Sequence, residues 1–114
     1  MIRSVATALA VLLTAPAVTE TVDVGGRGMV DLAPFACSDT PRSTLVQRVC
    51  YDAARRYLLV NVRGSYLEHC ELPAAIFNAF VVAPSMGQFY RQSIAAASHA
   101  NAPPFKCAED RSAN

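Results

Sequence analysis

Four cysteines constrain this chain more than any other feature. Cys37, Cys50, Cys70 and Cys107 are even in number and sit in a chain of 114 residues. They lie downstream of a segment with the grammar of an export signal. Met1-Ile2-Arg3 is a short basic start, Ser4 to Val18 carries no charge and is rich in Ala, Leu and Val, and Ala15-Pro16-Ala17 ends the run with small residues. That is the three-part pattern of a secretory signal, read here as residues 1–17. A spanning helix needs about 20 apolar residues, which this run does not reach before Pro16 interrupts it. Cleavage after Ala17 is expected, with cleavage after Thr19 the close alternative. No lipobox cysteine follows the run, so no lipid anchor is expected, and no later stretch is apolar enough to suggest a transmembrane segment after signal cleavage. The expected location is the periplasm or the exterior.

Removal of residues 1–17 leaves 97, enough for one small domain with a modest core. In an oxidising compartment an even set of cysteines in so short a chain reads as two disulfides. Each contributes about 2–4 kcal/mol, a large share of a small domain's stability. Zinc sites have cysteine pairs two to four residues apart, whereas the separations here are 13, 20 and 37. No Cys-x-x-Cys redox pair is present. Neither a metal nor another cofactor is expected. Cys37–Cys50 with Cys70–Cys107 is the first expectation for the pairing, and Cys37–Cys70 with Cys50–Cys107 stays open. Cys50–Cys70 is excluded, because those residues fall on the first and third strands of a meander and, by the alternation, on opposite faces.

The pattern along the chain separates four parts: the signal at 1–17, a loose leader at 18–43, a domain at 44–97 and a tail at 98–114. Gly25-Gly26-Arg27-Gly28 is a flexible turn cluster, and Val30-Asp31-Leu32 with Phe35 reads as a short extended piece pinned by Cys37. Leu45–Tyr51 suits a strand, and Asp52–Arg56 is a polar break. In Tyr57–Arg63, Leu58, Val60 and Val62 alternate with Tyr57, Leu59, Asn61 and Arg63, the pattern of a sheet with one better-buried face. Gly64-Ser65 is a hairpin candidate, and Tyr66–Leu72 reads as a third strand. Pro73 suits a helix start, and Ile76, Phe77, Phe80 and Val81 form an apolar helical stripe. Ala83-Pro84 stops it, and Ser85 with Gln88 forms a capping box for a second helix. The expected fold is α+β: a three-stranded antiparallel meander packed on two C-terminal helices and stapled by disulfides. Its core is expected at Leu58, Val60, Val62, Leu67, Ile76, Phe77, Phe80, Phe89 and Ile94.

Charge argues against a nucleic-acid partner. Once Arg3 leaves, nine basic residues face nine acidic ones. Residues 42–91 hold six arginines against Asp52, Glu68 and Glu71, while residues 18–41 hold Arg27 against Glu20, Asp23, Asp31 and Asp39. An acidic leader thus precedes a mildly basic domain and is able to neutralise it. Arg48, Arg55, Arg56 and Arg63 with Tyr51, Tyr57 and Tyr66 are the residue types of a single-strand platform, but the bias is weak for a phosphate binder. No catalytic constellation completes itself, so no enzyme is expected. In a strand His69 and Glu71 share a face opposite Glu68 and Cys70, and nothing supplies a nucleophile beside them. His99 falls in the polar tail.

Val49 to Ile94 resembles the KTSC domain, a module named for its place at the C-terminus of some lysyl-tRNA synthetases and also found free-standing in bacteria. The resemblance rests on Tyr51-Asp52, on Leu58-Leu59-Val60-Asn61-Val62, on Gly64 and on Leu72-Pro73. Its most specific block is Ala83-Pro84-Ser85-Met86-Gly87-Gln88-Phe89-Tyr90, leading to Ile94. It covers 46 of 114 residues. Arg48-Val49-Cys50-Tyr51-Asp52 and Cys70-Glu71-Leu72-Pro73 are similar to exported four-cysteine relatives of that module. The family's Tyr-x-Tyr corresponds to Leu67 and His69 here, with Tyr66 one residue early. Arg91 and Ala95 stand where the family often has Asn and a basic residue. The resemblance implies RNA binding, and these departures remove two stacking aromatics and one cation. The reading is therefore an exported structural or interaction module whose partner is a protein, a glycan or another envelope component. Arg55, Arg56, Tyr57, Arg63 and Tyr66 are its expected contacts, since they combine flat apolar surface with forked cations. Protein recovered from the envelope of the producing cell is expected to begin at Val18 or Glu20, as intact mass or N-terminal sequencing would read. A retained Met1 contradicts the export signal.

Overall fold

The computed structural model describes residues 20–95 and 105–108. The expected signal segment with its cleavage site, and most of the tail with His99, lie outside the described residues. Six strands run in chain order: β1 Thr21–Val24, β2 Gly28–Asp31, β3 Ala36–Asp39, β4 Val46–Asp52, β5 Tyr57–Val62 and β6 Ser65–His69. Helix α1 spans Ala74–Val81, and α2, Met86–Phe89, continues into a π-helical turn at Tyr90–Ile94. The strands form one mixed sheet in the order β2-β1-β6-β5-β4-β3. The expected meander is its β4-β5-β6 part. The leader expected to be loose supplies the other three strands: β1 pairs in parallel with β6 through Val24 and Tyr66, and β3 pairs antiparallel with β4.

Local chemistry explains the element ends. The β5–β6 hairpin turns on Arg63 and Gly64, with φ of 54° and 94°, and Val62 pairs with Ser65. Two successive positive φ values match the twist of an antiparallel pair, so the loop is one residue earlier than the expected Gly64-Ser65. β6 stops at His69 rather than Leu72. Glu71 has a φ of 56°, and the Cys70 N–H turns to the Phe105 carbonyl, 2.8 Å away. Pro73 lies just before α1, where its carbonyl accepts from the N–H groups of Ile76 and Phe77. Ser85 caps α2 by accepting the Gln88 N–H at 3.2 Å. Gly87 lets α2 approach the bend that leads into β4, since a Cβ there would lie 3.2 Å from the Leu45 Cβ.

The sheet is buried on both faces, and each face has its own core. One face packs Val46, Val49, Tyr51, Leu58 and Val60 against Leu72, Phe80, Met86, Tyr90 and Ile94 from the helical side. Val62, Ile76, Phe77 and Phe89 close its margin. Leu67 departs from the expected core: it is 39% exposed although it pairs with the fully buried Val60. The other face buries Cys50, Tyr57 and Leu59 under Val22, Val24 and Leu32, with Val30, Phe35 and Tyr66 packed at the edge. The expectation of one better-buried face is therefore corrected, because Leu59 is as fully buried as Leu58.

Disulfides join Cys37 to Cys50 and Cys70 to Cys107, with Cα separations of 3.9 and 5.0 Å. Cys37 lies directly opposite Cys50 across β3 and β4. Cys50 and Cys70 are in the same core cluster, so the expectation of opposite faces fails; what separates them is β5, which lies between β4 and β6. By loop length the two bridges contribute about 3 and about 4 kcal/mol. Phe80 is fully buried and its ring meets those of Phe89 and Tyr90 at 5.7 and 6.1 Å. Phe80→Ala is expected to cost about 3–5 kcal/mol. A chemical denaturation midpoint unmoved by that change would refute this packing.

Candidate functional site

The expected contact residues fall into two separate groups. Arg55, Arg56 and Tyr57 lie at the β4–β5 turn, and Arg63 and Tyr66 at the β5–β6 hairpin. Six residues of strand separate the groups by about 20 Å. Most of these side chains are engaged inside the molecule. The Arg55 Nε donates to Asp52 Oδ2 at 2.6 Å, and its guanidinium covers the rings of Phe35 and Tyr57 at 5.7 and 5.4 Å. Burial acts to raise the Asp52 pKa, but hydrogen bonds from the Arg55 side chain and from backbone N–H groups carry it below its usual value. The buried Tyr57 donates its hydroxyl to Glu68 Oε1 at 2.6 Å. Tyr66 accepts from Arg48 at 3.3 Å. Tyr51, a further expected stacking ring, lies against Phe77 at 4.4 Å and donates to the Leu72 carbonyl at 2.6 Å. Arg56 and Arg63 are exposed.

The leader supplies the missing counter-charges. Glu20 accepts twice from Arg48, at 2.8 and 3.1 Å, and the Arg48 hydrogen bond holds the Glu20 carboxyl below its usual pKa. Asp39 lies 3.6 Å from the same guanidinium. In the opposite direction Arg27 grips Glu68 with two parallel bonds of 2.8 and 2.7 Å, a fork geometry that adds orientation to strength. These ion pairs lay the β1–β2 hairpin across β4 and β6.

A larger concavity opens where β1 leaves β6. After Val24 meets Tyr66, the chain turns away at Gly25–Gly26. Just past the end of β6, Cys70 takes the segment 105–108 through its disulfide and backbone bond. Between these two attachments lies a cleft of about 620 Å³, lined by the 25–27 turn, Leu67–His69, Tyr90, Ala95 and residues 106–108. This volume is in the range of small-molecule sites. Sequence reading missed it because its walls come from four separate parts of the chain. The available signal was Leu67, an apolar residue on the helix-covered face of β6 at a position where the helices stop short.

The inner wall is a neutral pair. His69 Nε2 and the Tyr90 hydroxyl share a hydrogen bond of 2.9 Å, and their rings meet edge-on at 5.4 Å. Burial lowers the His69 pKa to about 4, partly offset by Glu68, and pushes that of Tyr90 up to about 12. His69 is thus tied to Tyr90, while Glu71, its expected acid–base companion, is exposed on the bend. Among the described residues no group of three or more His, Cys, Asp or Glu is arranged to hold a metal ion. Nor is any helix among them long and apolar enough to cross a membrane.

A folded-state pKa below the ordinary 6.5 makes His69 favour folding above that pH. That contribution is lost as pH falls from 6.5 to about 4, because the unfolded chain takes the proton first. The loss is at most roughly 3 kcal/mol. Glu20 and Asp52, with lowered carboxyl values, act mainly below this window. Denaturant titrations at pH 7 and pH 4.5 are expected to show the fall, and His69→Gln, which keeps a hydrogen-bonding partner for Tyr90, is expected to flatten it. An equal slope in the variant refutes the assignment.

The family model of the KTSC domain matches residues 42–97. No curated protein and no solved structure matches the chain.

Proposed function

We propose that this chain, which carries a KTSC domain at residues 42–97, is an extracytoplasmic binding module that receives its partner at the cleft beside β6 and catalyses no reaction. The single observation behind this reading is where the cleft lies. Leu67, His69, Tyr90 and Ala95 belong to the matched domain, while the 25–27 turn and residues 106–108 lie outside it. The segments added to the domain thus build a concave site rather than simply covering it. Two disulfides are compatible with an oxidising location, in line with the export pattern of residues 1–17. The partner is a protein or another envelope component.

The pairing of the arginines supports this reading over RNA binding. Arg27, Arg48 and Arg55 each hold a carboxylate, and phosphate contacts would have to displace it. The tyrosines expected to stack on bases are buried or hydrogen-bonded. The oxidised protein is expected to pass through heparin and single-stranded RNA columns at physiological salt. Sub-micromolar RNA affinity under those conditions would overturn the reading. Capture of a partner from the protein's own envelope fraction provides the second arm. Leu67→Trp, which fills the cleft, is expected to abolish capture, and replacing Arg55, Arg56 and Arg63 with Ala is expected to leave it intact. The reverse result places the site on the turns.

A further inference from the structure

We propose that the outer edge of β3 is a docking site for an extended peptide segment of a partner protein, one that sets an apolar residue beside a basic one. The site stands independently of the cleft, since β4 and β5 separate β3 from β6. Backbone register defines the edge. The Thr40 N–H donates to the Gln47 carbonyl at 3.1 Å, and β3 pairs without a break from Ala36 opposite Tyr51 to Asp39 opposite Arg48. Bonded and non-bonded pairs alternate along an antiparallel ladder. Ala36 and Ser38 therefore bond to β4 as Thr40 does, while Cys37 and Asp39 turn their N–H and C=O groups outward. Among the described residues β3 ends the sheet, so these four groups face no further strand. Native edges are commonly blunted by Lys, Pro or a bulge, and Ala36–Asp39 has none of these. The Cys37–Cys50 bridge fixes the strand at a pair that exchanges no backbone bonds. It leaves the outward groups open and lowers the ordering cost of adding a strand.

A groove beside this edge gives the added strand its side-chain pattern. The groove has a volume of about 310 Å³ and is bounded by Ser38, Thr40 and Arg42 on one side and by Phe77 and Val81 on the other. Phe77 and Val81 lie one turn apart on α1 and are half-buried. Arg42 fixes the far end by donating to the Val81 and Ala83 carbonyls at 3.0 and 3.1 Å. Ser38 pairs with Val49, which belongs to the helix-side core. An incoming residue opposite Ser38 shares that side of the sheet, and an apolar side chain there covers Phe77 and Val81. The next incoming residue, opposite Asp39, points to the other side. The Asp39 carboxylate is 84% exposed and lies 3.6 Å from Arg48, which gives its shorter bonds to Glu20. A basic side chain at that position gains a carboxylate partner. A second copy of this chain paired about Ser38 would set Ser38 over the groove and Cys37 beside Asp39, and would satisfy neither.

The probe is the peptide acetyl-Ser-Lys-Ile-Thr-Val-Ser-amide, titrated into the oxidised protein by calorimetry and followed by amide hydrogen exchange. The Cys37 and Asp39 amides are expected to gain protection. A control peptide N-methylated at Lys and Thr lacks the donors that face Asp39 and Cys37, and it is expected to bind at least about tenfold more weakly. Ser in place of Ile is expected to cost a similar factor, and Glu in place of Lys about threefold, as for an exposed ion pair. Asp39→Pro removes one outward N–H without touching the ladder to β4, and is expected to abolish binding at an unchanged melting temperature. Asp39→Asn, which keeps that N–H, is expected to lose only about threefold. Equal affinity for the parent and N-methylated peptides overturns the proposal, as does absence of binding at millimolar concentration or protection confined to other amides. Protection of Cys37 and Asp39 without peptide, rising with a dimer in sedimentation, assigns the edge to a second copy and also overturns it. The peptide comparison on the unaltered protein decides even where a variant fails to fold.

Discussion

Leu58 and Leu59 are consecutive residues of one strand, and both are fully buried. Their side chains point to opposite faces of the sheet, so neither face of β5 can be left to water. A three-stranded meander backed by two helices covers only one face. The other has to be covered by something else, and this chain uses its N-terminal segment. Val22, Val24 and Leu32 lie on Leu59 and Cys50, and the rest of the architecture follows. β1 and β2 extend the sheet beyond β6, β3 extends it beyond β4, and the disulfides anchor the added parts to the central strands. Cys37–Cys50 ties β3 to β4, and Cys70–Cys107 ties residues 105–108 to the end of β6.

Electrostatics direct that cover as well as neutralise the domain. Hydrophobic contact alone does not select the position of a hairpin of two four-residue strands on a sheet, because apolar burial is non-directional. The two arginine–carboxylate forks do select it. Arg27 reaches from the hairpin to Glu68 on β6, and Arg48 reaches from β4 back to Glu20. One pair runs from the leader's cation to the domain's anion, and the other runs the opposite way. Such reciprocal pairing rejects a shifted register, since a displaced hairpin would leave partly buried charges without partners. The same pairing occupies the guanidinium groups that a phosphate backbone would need.

The central domain was legible in the sequence because its signals are local. The alternation from Tyr57 to Val62, Pro73 before a helix and Ser85 before Gln88 each act within a few residues, and each is found where the pattern put it. The leader was not legible for a physical reason. Thr21–Val24 and Gly28–Asp31 are four-residue strands around a glycine-rich turn, too short for periodicity to declare itself. What makes them strands is contact with Tyr66, Glu68 and Leu59, which lie far along the chain. Arg55 and Tyr57 were read as contacts for a partner, but composition could not show that Asp52 and Glu68 already hold them. The cleft was beyond reach for the same reason as the leader.

An uneven cover leaves a gap at a defined place. β1 meets β6 at Tyr66 and then turns away, while the strap of residues 105–108 joins β6 only from Cys70 onward. Leu67 to His69 fall between the two attachments. On the helical side, the π-helical turn ends with Ile94 buried and Ala95 at the cleft edge, so the helices do not close over Leu67. The aliphatic side chain of Leu67 leaves volume open, and the His69 imidazole finds the Tyr90 hydroxyl. Side chains of the matched domain and segments outside it thus converge on one concavity, and that convergence is the observation from which binding at the cleft, rather than at the turns, is proposed.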